Sequence, residues 1–136
     1  MRAFEGLLPD RVLDVAEPTR ARYPDEQGFV VDEHGVRVFY EVYGDSPDVV
    51  CMLPPWALVH SRFWRAQIPY LSRHFQVIAI DPRGNGRSDR PVDRTAYSRA
   101  AHVADVIRVL NAVGVEEAMM ISASPRGALL LALCVE

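Results

Sequence analysis

The sequence predicts an α/β fold: a mostly parallel sheet with an N-terminal antiparallel hairpin and helices on both faces. Three observations support this prediction. Apolar segments of strand length alternate along the chain with segments that have helical periodicity. Several of the strand-like segments are continuously apolar, which is typical of parallel strands covered on both faces. The composition, 49% hydrophobic and 24% charged over 136 residues, is that of one ordinary globular domain.

A leader segment is predicted over residues 1–27, followed by the domain over 28–136. The three prolines of the leader lie among charged residues, a composition that interrupts regular structure. One short helical turn is indicated by Val12, Leu13 and Val15. We assign no chemistry to this segment.

Five strands are predicted in the domain. Phe29–Val31 and Val36–Tyr43 flank the turn Asp-Glu-His-Gly, and the second of them alternates apolar and polar residues, so together they predict a hairpin. The continuous apolar runs Val49–Leu53 and Val77–Ile80 end at proline-containing turns and predict parallel strands. Glu117–Ile121 predicts the last strand.

Three helices are predicted after the hairpin. Ser61 can cap the first, which Pro69 should interrupt or kink. The second ends at Gly114 and has apolar residues at i, i+3, i+4, i+7 and i+10 with polar residues between them. These apolar residues are Val103, Val106, Ile107, Leu110 and Val113. The third helix covers Gly127–Val135.

Charge and cysteine content exclude several classes of protein. A net charge of −3 without a basic run argues against a nucleic-acid partner. Cys51 and Cys134 both lie in apolar runs, where a thiol packs as a small hydrophobe, and no CxxC spacing suggests a metal site. The longest apolar run, Ala128–Val135, is too short to span a bilayer, and no signal sequence is evident. We therefore expect a cytoplasmic protein without membrane, metal or cofactor.

Three loops, 54–60, 81–91 and 122–126, should converge on the rim formed by the carboxyl ends of the parallel strands, where ligands bind in such sheets. Trp56 and His60 in the first loop are candidate ligand contacts. Their structural alternatives are a core residue for Trp56 and a surface residue beside a helix start for His60.

The second loop contains Gly84-Asn85-Gly86, which superficially matches the start of a dinucleotide-binding fingerprint. Asp89 holds the position of the third glycine, and Pro91 prevents a helix from beginning there. A structural interpretation is better supported. The two glycines permit a tight turn, which Asp81, Arg83 and Asp89 can stabilise by charge-assisted hydrogen bonds.

A family resemblance rests on this loop, which reads Asp-Pro-Arg-Gly-Asn-Gly-Arg-Ser-Asp-Arg-Pro. His-Ser-Arg-Phe-Trp-Arg-Ala-Gln-Ile-Pro-Tyr-Leu precedes it, and a serine-bearing turn between a strand and a helix follows it. From about Gly28 onward the chain resembles the N-terminal half of an α/β-hydrolase. The resemblance implies that the five strands are the first five of the family's eight. The lid, the later strands, the catalytic acid and the catalytic histidine are then absent, which makes this a truncated core.

The resemblance implies that Ser124 is the catalytic nucleophile. The family's turn is Gly-x-Ser-x-Gly, whereas residues 122–126 read Ser-Ala-Ser-Pro-Arg. Ser122 is small enough for the first position, but Arg126 is too large for the last. Pro125 is either a substitution in this frame or a one-residue insertion that shifts Gly127 into register, and both alignments remain open.

The resemblance also implies an oxyanion hole with one backbone N–H from Trp56 and one from the residue after the nucleophile. Pro125 has no N–H to donate. All four histidines, His34, His60, His74 and His102, precede Ser124, and none occupies the position of the family's base. His60 alone is expected on the rim, where we interpret it as a residue that contacts ligand or solvent.

Two functions follow as hypotheses. By resemblance, the protein is of the serine-hydrolase type, acts on ester-like or related acyl small molecules, needs no cofactor, and is inactive as this truncated chain. The alternative, consistent with Pro125 and Arg126, is a non-catalytic module that binds a small apolar ligand or a partner through the same rim. Self-association is also expected, because the edge of the strand Glu117–Ile121 lacks a lysine or proline to discourage pairing with another chain.

Overall fold

The computed structural model describes residues 22–55 and 59–123, which form one sheet with helices on both faces. The five strands in this part of the chain are β1 (Glu26–Val31), β2 (Arg37–Tyr43), β3 (Val49–Met52), β4 (Gln76–Ile80) and β5 (Met119–Ile121). The α-helices are α1 (Ile68–Leu71) and α2 (Arg99–Val113), and Ser61–Trp64 and Arg94–Tyr97 form 3₁₀ helices.

The strand order is β1-β2-β4-β3-β5. β2 pairs antiparallel with both β1 and β4, whereas β3 pairs parallel with β4 and with β5. The predicted hairpin and the predicted parallel strands are therefore confirmed. The hairpin reverses at a turn in which Gly35 has φ 81°, a conformation that favours glycine.

Two hydrophobic clusters cover the two faces of the sheet. One contains Val38, Cys51 and Ile78 from the strands and packs against α2. The other contains Tyr43 and Val77 and packs against the 3₁₀ helix Ser61–Trp64 and α1, with the side chains of Trp64 and Ile68. This division explains the continuously apolar sequences of β3 and β4, because side chains on both faces are buried.

Cys51 is fully buried, as its apolar surroundings in the sequence predict. Burial raises the pKa of its thiol to about 12, so the group is protonated and unreactive near neutral pH. Cys134 lies outside the described residues.

The first predicted helix is interrupted as its proline requires. A 3₁₀ turn over Ser61–Trp64 is followed by the single turn α1, with proline in its first residues. The predicted cap is wrong. His60, not Ser61, holds the N-cap position, and its Nδ1 accepts a hydrogen bond from the Arg62 N–H at 3.2 Å. A histidine was not expected as a cap because Ser, Thr, Asp and Asn dominate that position.

α2 confirms the predicted second helix. Ser98 caps its start and Gly114, with φ 76°, caps its end. The predicted apolar stripe packs on the sheet, but Asp105, placed by the sequence among the polar residues of the helix, is buried instead. Its partner, described below, lies in the loop after β4.

β1 begins at Glu26, and the division into a leader over 1–27 and a domain over 28–136 stays a prediction. The predicted helix Gly127–Val135 lies outside the described residues. Within 22–55 and 59–123, none of the helices has the length and apolar character needed to cross a membrane.

Candidate functional site

The predicted rim is formed by the segments that leave the carboxyl ends of β3, β4 and β5. The parallel register places Met52 opposite Ile121, and the Leu53 N–H donates to the Ile121 carbonyl at 2.9 Å. The segments that begin at Leu53 and Ser122 therefore leave the sheet side by side. Trp56 lies three residues beyond Leu53, and Ser124 lies two beyond Ser122.

Trp56 and Ser124 themselves lie outside the described residues, so their predicted roles stay predictions. The residues before Ser124 are described: Ala123 is exposed, whereas the Ser122 hydroxyl is buried. Among the described residues, neither the Ser122 Oγ nor the equally buried Trp64 Nε1 has a hydrogen-bond partner. A buried donor without a partner is destabilising, so each of these atoms is an unmatched polar group among the described residues.

Asp81 is the residue that connects the loop after β3 to the loop after β4. It is buried, and its carboxylate accepts hydrogen bonds from the backbone N–H of Ser61 at 2.7 Å and from that of Arg87 at 2.9 Å. Its carbonyl accepts from the Ser88 hydroxyl, which in turn accepts from the Phe39 N–H. One carboxylate thus fixes the end of the loop that carries Trp56 relative to the glycine-containing turn.

Gly86 is required by the position of that carboxylate. A Cβ atom at Gly86 would lie 1.9 Å from Asp81 Oδ2, and the residue has φ 53°. Both facts exclude a side chain unless the carboxylate moves. The sequence prediction of a tight turn that needs glycine is confirmed here.

Arg83 makes a different contact from the one predicted. It is 3% exposed and pairs with Asp105 of α2, with Nε–Oδ2 at 2.7 Å and Nη2–Oδ1 at 2.6 Å. Nη2 also lies 3.0 Å from Asp32 Oδ2 in the β1–β2 turn, and Nη1 donates to the Ala96 carbonyl at 2.8 Å. The guanidinium therefore joins the loop after β4 to the hairpin and to α2, rather than to Asp81 or Asp89.

Asp32 has a perturbed pKa in this cluster. Burial alone would raise the pKa of Asp32, but hydrogen bonds from the N–H groups of Val36 and His34 and the Arg83 guanidinium hold it below its ordinary value. The Asp32 carboxylate is therefore ionised at neutral pH and pairs with Arg83.

Asp89 likewise binds outside its own loop. Its carboxylate accepts from the Arg37 guanidinium at 2.9 Å and from the Arg37 backbone N–H at 2.9 Å. Hydrogen bonds from Arg37 lower the pKa of Asp89. The prediction that Asp81, Arg83 and Asp89 stabilise the turn by charge-assisted bonds is confirmed within the loop for Asp81, which accepts from the Arg87 N–H. The bonds of Arg83 and Asp89 tie the loop to other elements instead.

The four histidines are spread over the fold. His60 is exposed at the rim, and one ring nitrogen is used to cap the 3₁₀ helix. His34 lies in the β1–β2 turn, with Nε2 at 3.9 Å from Glu33. His74 follows α1 and contacts the Tyr70 and Phe75 rings, and His102 belongs to α2. His60 is therefore an exposed residue at a helix start, which is the structural alternative predicted for it, and its contact with a ligand stays a prediction.

A cavity of about 730 Å³ lies beside the rim, between the β1–β2 turn, residues 91–98 and the first turns of α2. It is lined by Arg83 and Arg108 and by residues such as Val36, Pro91 and Ala104. None of residues 53–55 or 122–123 lines it. No group of three or more potential metal ligands occurs within the part of the chain that the structure describes.

Comparison with known proteins identifies similar sequences. Residues 48–134 match the family model described as alpha/beta hydrolase fold. Bifunctional epoxide hydrolase 2 of Sus scrofa is 34% identical over 96 residues, which are 69% of this chain and 17% of that protein. A putative carbamate hydrolase of Azorhizobium caulinodans is 36% identical over 81 residues, which are 60% of this chain and 29% of that protein.

Solved structures show the same similarity. A variant of an epoxide hydrolase from Vigna radiata superposes with a TM-score of 0.72 at 26% identity, over 81% of this chain and 34% of that one. Est816, described as an N-acyl homoserine lactone degrading enzyme, superposes with a TM-score of 0.70 at 32% identity, over 78% of this chain and 39% of that one. The chain thus spans well under half the length of the relatives that it matches.

Proposed function

Because this chain belongs to the α/β-hydrolase fold family, we propose that it carries the nucleophile half of a serine-type hydrolase site that acts on ester-like or related acyl small molecules. Ser124 is the proposed nucleophile. The Trp56 N–H is the proposed oxyanion donor. The alternative is a non-catalytic module that binds a ligand through the same rim.

The observation that carries the proposal is the β3–β5 register. The hydrogen bond from Leu53 N–H to the Ile121 carbonyl starts the two rim segments as neighbours. A hydroxyl and an oxyanion donor must lie within a few ångströms of one carbonyl group to act on it together. Segments that begin side by side, and extend only two or three residues to Ser124 and Trp56, support that arrangement.

The far end of the loop that begins at Leu53 is also held in place, which further supports the proposed arrangement of Trp56 and Ser124. The Asp81 carboxylate holds the Ser61 N–H at 2.7 Å, so the loop between Leu53 and Ser61 is anchored at both ends. An oxyanion donor contributes most when it is held in place before the reaction. We therefore assign Asp81 a positioning role toward this loop.

The substrate class follows from the chemistry of serine. A serine alkoxide that attacks an acyl carbon forms an acyl-serine ester and displaces the substrate's alcohol or amine, and water then hydrolyses that ester to release the acid and restore serine. Attack on an epoxide would give an alkyl ether, which resists hydrolysis. A carbamate and a lactone, the compound classes in the names of two relatives, are both acyl compounds. Acyl substrates are therefore favoured over epoxides for a site built on Ser124.

The proposed site lacks a base within residues 1–136. No histidine follows Ser124 in this sequence, and the His60 ring is used as a helix cap. A positioned general base contributes about 10²–10⁴-fold to such reactions. Pro125 removes one oxyanion donor, which costs about 10²–10³-fold. We expect the 136-residue chain alone to hydrolyse an activated ester no faster than its Ser124→Ala variant.

Chemical rescue tests the proposal. Imidazole at increasing concentration supplies an external base, and hydrolysis of p-nitrophenyl acetate is followed for the chain and for Ser124→Ala. Because imidazole itself cleaves this ester, the measured quantity is the difference between the two proteins. We expect that difference to be zero without imidazole and to increase with its concentration.

Two results would contradict the proposal in different ways. A difference that stays at zero at every imidazole concentration would favour the binding module. Serine-dependent turnover without imidazole would mean that a residue of this chain, with His60 the first candidate, already acts as base.

A further inference from the structure

One face of the sheet carries an unusual number of arginines. On β2, Phe39, Glu41 and Tyr43 alternate onto the face that α1 and the 3₁₀ helix Ser61–Trp64 cover. The arginines that contact these side chains, or line the same surface, are Arg22, Arg37, Arg62, Arg65 and Arg87. We call this surface the arginine face.

Its half nearest the rim combines arginines with aromatic rings. The Arg37 guanidinium lies 5.2 Å from the centre of the Phe29 ring, and that of Arg87 lies 4.1 Å from the centre of the Phe39 ring. The centres of the two rings lie 5.2 Å apart across the β1–β2 pair, with the ring planes tilted by 56°. Arg87 also donates to the neutral Gln27 amide at 2.9 Å. Both guanidinium groups therefore lie against aromatic rings of the β1–β2 pair.

Its other half contains an arginine without a counter-ion. Arg22, Arg62 and Arg65 line one small cleft together with Glu41 and Tyr43. Arg62 lies 3.6 Å from the buried Glu41 carboxylate. The backbone N–H of exposed Arg65 donates to the Arg62 carbonyl, but its guanidinium makes no hydrogen bond or ion pair with any described residue. The cleft therefore offers positive charge to an additional acidic group.

The chain enters the described fold at this same cleft. Arg22 donates to the Ser72 hydroxyl at 2.9 Å and pairs with Asp25 at 2.6 Å. Asp25 in turn accepts from the Gly44 N–H, and its own N–H donates to the Val42 carbonyl. Arg22, the first described residue, therefore lies beside Arg62 and Arg65.

The sequence just before that point has matching charge. Between Pro9 and Pro18, Asp10, Asp14 and Glu17 are spaced i, i+4 and i+7, which places all three on one side of a helix. Such a helix would be about 13 Å long. The four residues Pro18–Ala21 that connect it to Arg22 can span at most about 14 Å. This connection keeps the acidic side within reach of the cleft.

We propose that residues 9–17 dock on the arginine face of the same chain, with Glu17 and Asp14 toward Arg65. Residues 9–17 would then cover the cleft that Arg22, Arg62 and Arg65 line. The inference does not depend on the proposed catalytic function, because it involves neither Ser124 nor the rim loops.

The test is hydrogen exchange of the backbone amides of residues 9–17 in the 136-residue chain, measured by mass spectrometry at two protein concentrations. The variants are Arg65→Glu, Glu17→Lys and the double variant that exchanges the two charges. Arg99→Glu is the matched control, because it makes the same charge change on exposed α2, on the opposite face of the sheet. Arg62 is left unchanged, since it neighbours the buried Glu41 carboxylate.

We expect residues 9–17 to be protected in the parent chain at both concentrations. Each single reversal should reduce protection about threefold or more, since it turns an attraction into a repulsion, and the double variant should restore it. Arg99→Glu should leave it unchanged.

Three results would overturn the proposal. The first is exchange of residues 9–17 at the rate of an unprotected peptide in the parent chain. The second is protection that Arg65→Glu leaves intact. The third is protection that disappears on dilution, which would assign the contact to a second copy of the chain.

Discussion

Two parts of the rim are held in place by different means. The turn after β4, residues 81–90, is fixed by side chains that reach four other elements. Asp81 binds Ser61, Arg83 binds Asp105 and Asp32, and Asp89 binds Arg37. β5 is three residues long and pairs with β3 alone among the described strands. The first part is determined by buried charge and the second by one strand pairing.

The two parts would have different tasks in the proposed site: the turn after β4 would orient it, and the segment after β5 would carry the proposed nucleophile. Loops that carry oxyanion donors need fixed backbone positions, and buried hydrogen-bonded charges provide them at the cost of desolvation. The segment after β5 leads to Ser124, and its Ser122 hydroxyl has no partner among the described residues. Changes in the turn should therefore alter stability strongly, while changes on β5 should mainly alter association.

The largest effect is expected from Arg83→Met. The change leaves the Asp32 carboxylate without its cation and leaves the buried Asp105 carboxylate with Arg108 alone, at 3.5 Å. Breaking a buried pair costs about 3–5 kcal/mol. The free energy of unfolding from urea denaturation measures it. Arg37→Met is the control, because Arg37 pairs with Asp89 at the surface, where the loss should be much smaller. Equal losses in the two variants would show that burial of Arg83 contributes nothing.

Gly86→Ala should be the next most damaging change. The new methyl group would meet the Asp81 carboxylate, and φ is 53° at this residue. A strained backbone position costs about 1–3 kcal/mol, to which the displacement of Asp81 adds. Gly35→Ala provides the matched control, since Gly35 has φ +81° but open space around it. The difference between the two melting temperatures isolates the contact with Asp81, and its absence would contradict the anchoring role of that residue.

The architecture could be predicted because each strand and helix has a hydrophobic pattern within its own segment of the sequence. Continuous apolar runs in β3 and β4 and the spacing of Val103, Val106 and Leu110 each reflect one element and the surface that it buries. Alternation in β2 predicted a strand, although the structure buries side chains on both of its faces. Pro69 correctly predicted the interruption of the first helix. Proline is tolerated in the first turn of a helix but not in its interior, and α1 has Pro69 in its first turn.

The partners of the charged residues could not be predicted in the same way. Arg83 contacts Asp105 and Asp32, which lie 22 and 51 residues away along the chain. Helical periodicity placed Asp105 among polar positions because it cannot anticipate a guanidinium arriving from a loop. A buried arginine in a turn that is rich in acidic residues has several possible partners, and only the packing of α2 against the hairpin selects between them.

The ionisation of Asp32, which pairs with Arg83 of the turn after β4, should make the stability of the fold depend on pH. Its pKa is lower in the folded chain than the ordinary value near 3.9, so its contribution to stability is present above that value and is lost as pH falls through the folded pKa. We therefore expect Asp32→Asn to be less stable than the parent chain at pH 6, and the gap to narrow below pH 4. Urea denaturation at both pH values measures the gap, and a constant gap would show that ionisation of Asp32 does not stabilise the fold.

The smallest effect is expected at β5, where a single side chain should change association without changing the fold. No strand covers the outer edge of β5 within the described residues, and Met119 on it is 59% exposed beside Ala118 and Glu117. An uncovered strand edge with an apolar side chain pairs readily with another chain, and a lysine discourages it. Met119→Lys should therefore weaken self-association about three- to fivefold, as light scattering after size-exclusion chromatography across protein concentration would show.

Val92→Lys is the control for that measurement, because Val92 is 98% exposed in the loop between β4 and α2, away from β5. If both lysine variants reduce association equally, added charge alone explains the result and the edge of β5 is not the contact. If the parent chain has a monomeric mass at every concentration, other residues of the chain already cover this edge. β5 would then be held at both edges. Its position, like that of the turn after β4, would depend on more than one contact.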